Sequence, residues 1–226
     1  MIGQNVKAVL ERVNAAVKKS GRSPSDVTVI GVTKTVEPAR IKELIRAGIT
    51  HIGENRVQEF LPKYEVLKDE GCTFHFIGHL QKNKVKFLMD KVGFIHSVDS
   101  LALAKEINQR ANGKRMKVFL EINVAEEATK IGILPKKIID FAEKMTEYTW
   151  LEPVGLMCVP PVDENPENSR RYFEMLRNIM VDINQKNLYY ACMKHLSMGM
   201  SGDFDIAIEE GATMVRIGSG FFGPRE

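Results

Sequence analysis

The chain has 226 residues, 44% of them hydrophobic, and its acidic and basic residues nearly balance to a formal net charge of +3. This length can bury one large core and permits either one barrel-sized domain or two small ones. The charges are spread along the chain without dense basic runs, which argues against nucleic-acid binding and against binding to an anionic membrane.

Residues 1–20 predict a helix that packs on the rest of a single domain spanning residues 1–226. They carry charges throughout and place apolar side chains on one helical face, unlike the uninterrupted apolar region of a signal peptide. These side chains are Val6, Val9, Val13 and Val17. No stretch of the sequence approaches the roughly 20 apolar residues needed to cross a bilayer, so we expect a soluble protein.

Short β-rich runs then alternate with helical patterns along the chain. The first run, 27–34, precedes a helix that opens at Glu37-Pro38 and closes at Gly48, a good pair of helix signals. The later predicted strands are 51–54, 74–78, 94–98, 117–123, 154–159, 193–198 and 214–218. The later predicted helices are 57–69, 83–91, 100–111, 135–147, one after 165–166, and 204–210.

This alternation, without a Pro/Gly/Ser-rich linker, predicts a single (β/α)8 TIM barrel. A doubly wound open sheet is the alternative, and it requires two or three of the short predicted strands to be wrong. In the helix after residues 165–166, four side chains recur at helical spacing and are predicted to be core. They are Tyr172, Leu176, Ile179 and Ile183.

The cysteines and the one small lysine cluster carry little functional signal. Three cysteines, widely spaced and without a CxxC pair, suggest neither a disulfide framework nor a zinc site, so we expect a reducing cytoplasm. They are Cys72, Cys158 and Cys192. Lys82, Lys84 and Lys86 are interpreted as a solvated helix face, with a phosphate or partner contact as the alternative.

Lys34 is the first candidate site residue. It ends an apolar predicted strand, and in barrels functional groups project from the C-terminal ends of the strands. Partial burial would lower the pKa of the amine, as attack on an aldehyde requires. The alternative is a strand-end lysine whose amine extends to solvent.

Two Gly/Ser loops follow the last two predicted strands. The first, 197–202, contains Ser201, and the second, 218–220, contains Gly218 and Ser219. In barrels the loops after strands seven and eight form the usual phosphate site, because glycines let backbone amides approach an anion.

Arg216 lies in the middle of the eighth predicted strand, on the same face as Met214 and Gly218. An inward arginine requires a partner. That partner is either an inward acid such as Glu121, or a ligand's heteroaromatic ring nitrogen or phosphate.

Two further polar groups lie at strand ends. Asn55, after strand two, could hydrogen-bond a ligand oxygen. His75 and His79, at strand three, are interpreted as structural groups, with an acid or base role as the alternative. Together, an amine, two loops suited to a phosphate and an arginine indicate a site for a phosphorylated aldehyde or ketone held as an imine. The ligand is either pyridoxal 5′-phosphate (PLP) or the sugar phosphate of a Schiff-base aldolase.

A series of motifs, in order over nearly the whole chain, resembles the PLP homeostasis protein family. The motifs are VTKT (32–35), GENRVQE (53–59), HFIGHLQKNK (75–84), EINVAEEATKIGI (121–133), GLMCVPP (155–161), HLSMGMSGDF (195–204) and VRIGSGFFG (215–223). One mild departure is Cys158, where the family more often has another small polar residue.

The resemblance implies a barrel like the N-terminal domain of alanine racemases, with PLP as an internal aldimine on Lys34. It also implies that the phosphate lies at the loops of Ser201 and Gly218-Ser219, that Arg216 lies near the pyridine nitrogen, and that Asn55 lies near the ring.

We expect a binding protein and not an enzyme. A cationic arginine at the ring nitrogen discourages its protonation and weakens the cofactor as an electron sink. Alanine racemases add a tyrosine from a second domain of the partner subunit. We expect no such domain here, because the sequence continues only a few residues beyond strand eight.

The expected role is PLP homeostasis, with PLP-dependent apo-enzymes as possible recipients and a monomer as the simplest assembly. The alternatives are an amino-acid racemase or lyase that uses His79 or Lys34 as its base, and the Schiff-base aldolase.

Overall fold

The computed structural model describes residues 1–189 and 192–223. Eight parallel strands pair in chain order, and β1 also pairs with β8, so that the sheet closes into a barrel. The predicted (β/α)8 fold is confirmed, and the open sheet is excluded. The strands are β1 (Thr28–Val32), β2 (His51–Glu54), β3 (Thr73–Phe76), β4 (Phe94–Val98), β5 (Met116–Ile122), β6 (Leu151–Cys158), β7 (His195–Met200) and β8 (Met214–Ile217).

Helices connect the strands and cover the outside of the barrel. They are α1 (Ile2–Lys19), α2 (Pro38–Arg46), α3 (Val57–Leu67), α4 (Leu101–Arg110), α5 (Ile138–Met145), α6 (Arg170–Gln185), α7 (Phe204–Glu209) and α8 (Ser219–Phe222). Helix α2 begins at Pro38 as predicted, since proline needs no N–H partner there, and the chain reverses at Gly48 with φ of 101°.

Helix α1 lies against α7 and α8. The four valines predicted to share one face are all buried. Asn5 Nδ2 also donates a 2.8 Å hydrogen bond to the carbonyl of Phe221 in α8. The leading helix is therefore tied to the element that follows β8.

Strand alternation decides which side chains enter the barrel. Gly31 faces outward, because a Cβ there would lie 2.5 Å from Leu44 of α2, and Ile30 therefore faces inward. A Cβ at Gly53 would lie 2.9 Å from Ile30, so Gly53 faces inward as well and Glu54 faces α3. The apolar part of the interior is a small buried cluster of Ile30, Phe119, Met157 and Met214.

Two sequence predictions need correction. The predicted helix 83–91 is a 3-10 helix, Lys82–Phe87, and Asp90 with a left-handed φ of 64° prevents any helix from reaching residue 91. In α6, Phe173 is fully buried, whereas Tyr172 is only partly buried. The hydroxyl of Tyr172 accepts a 2.8 Å hydrogen bond from Arg171, which keeps the ring near the surface.

No helix in residues 1–189 and 192–223 is long and apolar enough to cross a membrane. Cys72, Cys158 and Cys192 are all free thiols, and they differ in exposure, from buried Cys158 to exposed Cys192.

Candidate functional site

Lys34 lies two residues after β1, in a tight turn at the C-terminal end of the barrel. Thr35 adopts a left-handed φ of 59°, which is strained for a β-branched residue, and its hydroxyl donates a 2.7 Å hydrogen bond to the carbonyl of Lys34. The expected partial burial of Lys34 is wrong, because its side chain is exposed. The amine makes no hydrogen bond or ion pair with any described residue.

Two side chains of α3 hold this turn from either side of Lys34. Buried Lys63 donates a 2.7 Å hydrogen bond from Nζ to the carbonyl of Thr33. The backbone N–H of Thr35 donates a 2.8 Å hydrogen bond to Oε2 of Glu59. The helix therefore fixes the main chain immediately before and after Lys34.

Lys63 also pairs with the carboxylate of Glu54 behind the barrel wall. Nζ lies 2.7 Å from Oε1 of Glu54, which in turn accepts a 2.5 Å hydrogen bond from the hydroxyl of Thr33. Burial nevertheless raises the pKa of Glu54, because desolvation outweighs the bonds from Lys63 and Thr33. Sequence reasoning missed this pair, since a lysine in an amphipathic helix resembles a solvated cation.

Asn55 lies beside the Lys34 turn. The β1–β2 register ends with Val32 opposite Gly53, so Lys34 and Asn55 each lie two residues beyond that last pair. The side-chain oxygen Oδ1 of Asn55 is buried and has no hydrogen-bond partner among the described residues. Such an atom accepts a donor from a ligand at low cost, because its desolvation has already occurred.

Gly78, after β3, brings the chain against Asn55. A Cβ at Gly78 would lie 2.2 Å from the carbonyl oxygen of Asn55 and 2.7 Å from its Cα. Only glycine therefore permits this close approach of the two strand ends.

The two Gly/Ser loops meet as the sequence predicted. Ser201 Oγ accepts hydrogen bonds from the backbone N–H groups of Gly218 at 3.2 Å and Gly220 at 3.3 Å. Ser219 is exposed and begins α8. Because β1 pairs Gly31 with Ile217, the loop of Gly218 and Ser219 lies on the other side of the Lys34 turn from Asn55.

Arg216 is buried inside the barrel and is held by main-chain oxygens. Nη1 donates to the carbonyl of Ser197 at 2.6 Å and to its hydroxyl at 2.7 Å, and Nη2 donates to the carbonyl of Cys158 at 2.7 Å. It makes no ion pair with Glu121 or with any other acid in the described chain, so the structural alternative given for Arg216 is wrong. Its charge is stabilised by oriented carbonyl dipoles.

Glu121 faces the same interior from β5. Burial raises the pKa of its carboxyl to about 7, with nearby Asp99 acting in the same direction and Arg216 opposing both. His79 lies at the rim, half-exposed, with Nδ1 3.4 Å from Oδ2 of Asp99. The barrel mouth therefore contains one carboxyl that exchanges its proton near neutral pH.

A chain of hydrogen bonds between imidazoles crosses the barrel interior and reaches Arg216. His51 Nδ1 lies 2.8 Å from His75 Nε2, His75 Nδ1 lies 2.9 Å from His96 Nε2, and His96 Nδ1 lies 2.8 Å from Ser197 Oγ. We call His51, His75 and His96 the histidine column. Sequence reasoning identified only His75, as a structural group, and missed the other two.

Burial keeps the inner two histidines of the column neutral. It lowers the pKa of His75 to about 3 and that of His96 well below its usual value, and neighbouring histidines add to the effect. His75 stacks on Phe94 with ring centroids 4.6 Å apart, and His96 stacks on Phe119 at 4.2 Å, so both ring planes are fixed.

A cavity of about 400 Å³ lies at the opposite, N-terminal end of strands β5 to β7 and contains none of the predicted site residues. Its lining includes Arg115, Lys117, Tyr189, Lys194 and His195. The predicted site residues lie instead at the C-terminal end, which contains the Lys34 amine, the Ser201 and Ser219 hydroxyls and the unpaired amide oxygen of Asn55.

The chain is similar to known proteins over its whole length. The family model for the alanine racemase N-terminal domain matches residues 5–226. The pyridoxal phosphate homeostasis protein of Aquifex aeolicus (strain VF5) is 46% identical, covering 99% of this chain and 98% of that protein. The protein of the same name from Pseudomonas aeruginosa is 35% identical, covering 100% and 96%. A solved structure of PipY from Synechococcus elongatus PCC7942, with PLP bound, has a TM-score of 0.85 and 30% identity, covering 99% and 100%.

Proposed function

Because this chain belongs to the pyridoxal phosphate homeostasis protein family, we propose that it binds PLP at the C-terminal end of the barrel, tethered to Lys34, and acts in PLP homeostasis without catalysis. The observation that carries this proposal is the position of the free Lys34 amine. It lies in a turn held on both sides by α3, between Asn55 and the Gly218-Ser219 loop.

The residues at the barrel mouth fit the parts of PLP. Bound PLP supplies an aldehyde that condenses with a lysine amine to a Schiff base, with loss of one water. The hydroxyls of Ser201 and Ser219 offer donors to the phosphate, in a loop where the Gly218 N–H donates to Ser201 Oγ. The buried Asn55 oxygen is suited to a donor group on the ring.

Arg216 supports a binding role. Its guanidinium donates hydrogen bonds to the oxygens of Ser197 and Cys158, and its remaining N–H groups can donate to a ring nitrogen. A permanent cation there disfavours a protonated pyridine, so the ring withdraws electrons less strongly.

Among the described residues, the tyrosines offer no second acid or base at the mouth. Tyr148 and Tyr189 donate to the helix carbonyls of Leu101 and Ala142, and Tyr64 packs between Phe60 and Phe74. Tyr172 lies on α6, and Tyr190 falls outside the described residues.

A PLP-dependent racemase or lyase is the second candidate, and the observation in its favour is Glu121, a carboxyl at the mouth with a pKa near 7. Incubating the PLP-loaded protein with amino acids in deuterated water tests it. Exchange of the α-hydrogen at enzyme-like rates would replace the proposal of a non-catalytic role.

The main experiment identifies both the ligand and its lysine. The purified protein is loaded with PLP, reduced with borohydride, digested and analysed by mass spectrometry. We expect one phosphopyridoxyl group, on Lys34, and a yellow protein whose Schiff-base absorbance is lost in Lys34→Ala but kept in the exposed control Lys86→Ala. A colourless protein that cannot be loaded would contradict the proposal. Trapping of a triose phosphate in place of PLP would favour the aldolase.

The assembly and the recipients of PLP belong to the same proposal. We propose a monomer that works in the cytoplasm and gives PLP to PLP-dependent apo-enzymes. Light scattering reports the mass. Mixing the loaded protein with an apo-enzyme, with free PLP at equal concentration as the comparison, reports whether the protein delivers its cofactor.

A further inference from the structure

The histidine column ends on a residue that can only donate. Arg216 carries N–H groups and no acceptor, and its Nη1 lies 2.7 Å from the hydroxyl oxygen of Ser197. The direction of this first hydrogen bond is therefore certain: Arg216 donates and Ser197 accepts.

Ser197 transmits this direction to the column. Its hydroxyl has a single hydrogen and is fully buried, and its only other partner in the described chain is His96 Nδ1 at 2.8 Å. If His96 donated instead, the hydroxyl hydrogen would be buried without an acceptor, which is unfavourable. Ser197 therefore donates to His96, and His96 Nδ1 carries no hydrogen.

The same reasoning passes along the imidazoles. Neutral His96 must carry its hydrogen on Nε2, which donates to His75 Nδ1, and His75 then donates from Nε2 to His51 Nδ1. The outermost member, His51, is half-buried at the start of β2 and directs its own Nε2–H away from the column.

We propose that the histidine column is a hydrogen-bonded chain of one fixed polarity, with all three imidazoles as Nε2–H tautomers, and that Ser197 and His96 are positioning residues for the Arg216 guanidinium. The polarity is independent of any ligand. The consequence for PLP rests on the proposed function: an Arg216 held in one orientation presents its remaining N–H groups to the cofactor ring in one orientation only.

Nitrogen NMR of the ¹⁵N-histidine-labelled protein without PLP tests the polarity. The chain has five histidines, so each ring can be assigned by single substitution. We expect hydrogen on Nε2 alone for His51, His75 and His96 at neutral pH. An Nδ1–H tautomer or a cation at His75 or His96 would overturn the proposal. The tautomers themselves are read from the unaltered protein, and the substituted proteins serve only to assign each ring.

Ser197→Ala tests the positioning role. Removing the hydroxyl takes away the donor to His96, so the His96 Nε2–H tautomer should give way to a mixture. The control ring is His195, also on β7, whose Nδ1 contacts Thr213 Oγ1 and not the column. An unchanged His96 tautomer would show that Ser197 does not set it.

Binding of PLP to the same variant provides the second readout. The dissociation constant should rise about tenfold, as for loss of one hydrogen bond to a charged group, and the pH profile of the bound absorbance should shift. The matched control is Ser169→Ala, a buried serine outside the barrel interior. Unchanged affinity and profile would overturn the positioning role. If the unaltered protein has the expected tautomers but binds no PLP, the proposed function is contradicted, whereas the fixed polarity of the histidine column is supported.

Discussion

Lys63 donates a 2.7 Å hydrogen bond to the main-chain carbonyl of Thr33, the residue directly before Lys34. The exposed lysine proposed to carry the cofactor therefore depends on a second lysine, which is buried and does not face the cofactor. Lys63 holds the turn and neutralises Glu54, and both roles belong to one ammonium group.

We predict that Lys63→Met lowers the free energy of unfolding by about 3 to 5 kcal/mol, the usual cost of leaving one partner of a buried ion pair uncompensated. PLP affinity should fall as well, because the Thr33 carbonyl is released. Urea denaturation and absorbance titration measure the two effects. The control Lys68→Met removes an exposed ion pair with Glu65 at the end of α3. Its free energy of unfolding and its PLP affinity should both stay within error of the unaltered protein. Equal effects in the two variants would contradict the role of Lys63.

Gly78→Ala should move Asn55. The new Cβ would lie 2.2 Å from a backbone oxygen that cannot rotate away, so we expect a loss of about 1 to 3 kcal/mol and weaker PLP binding. Gly3→Ala is the matched control, since nothing lies within 4 Å of that Cβ and alanine favours the helix α1. Urea denaturation should show opposite signs for the two variants, and two equal losses would be evidence against a steric cause.

Glu121 should make the protein less stable as the pH rises. Its pKa is about 7 in the fold against an ordinary value of 4.5, so between these values the fold holds a proton that the unfolded chain has released. The stabilising contribution of the neutral carboxyl is lost as the pH rises through 7. Glu121→Gln should therefore exceed the unaltered protein in stability above pH 7, by about 1 to 3 kcal/mol, and the difference should shrink toward pH 4.5.

Urea midpoints at pH 5, 6, 7 and 8 measure this difference. Glu147→Gln, at an exposed position, controls for the charge change. A difference that does not vary with pH would remove Glu121 as the cause.

The histidine column should affect the pH dependence of stability in the opposite direction to Glu121. The pKa of His75 is about 3 in the folded protein and 6.5 in the unfolded chain. Between these two pH values the unfolded chain therefore binds a proton that the folded protein does not. Stability is then complete above pH 6.5 and is lost as the pH falls toward 3. In the Glu121→Gln background, which removes the opposing carboxyl, we expect each such histidine to contribute about 1.4 kcal/mol per pH unit below 6.5. Constant stability between pH 7 and 5 would show that His75 and His96 can take up protons within the fold.

The sequence was enough to predict the barrel because each turn carries its own local signal. Pro38 and Gly48 mark the two ends of one helix, and Gly218 and Gly220 mark the loop after β8. Sequence-based prediction was wrong where tertiary contacts determine where an element ends. The predicted strand 27–34 ends at Val32, because α3 draws the following residues into a turn.

The histidine column could not be predicted in the same way. His51, His75 and His96 lie on three different strands, and only the pairing of β2, β3 and β4 brings their rings together. One signal was present in the sequence, since each histidine lies within a predicted strand next to an apolar residue. Polar side chains that face the interior of a barrel need hydrogen-bond partners there. Lys63 gave no such signal, because nothing local distinguishes it from an exposed lysine of the same helix.

Pairing of β1 with β8 has a consequence for the order of events on the ribosome. Thr28 to Gly31 are made early and must wait for Met214 to Ile217 before that side of the strand is hydrogen-bonded. Until then β1 is an open edge that other chains could join. The Lys34 turn and the Ser219 loop likewise come together only after β8 has been made. Under the proposed function, a nascent chain cannot hold PLP between these two segments before β8 has been made and has paired with β1.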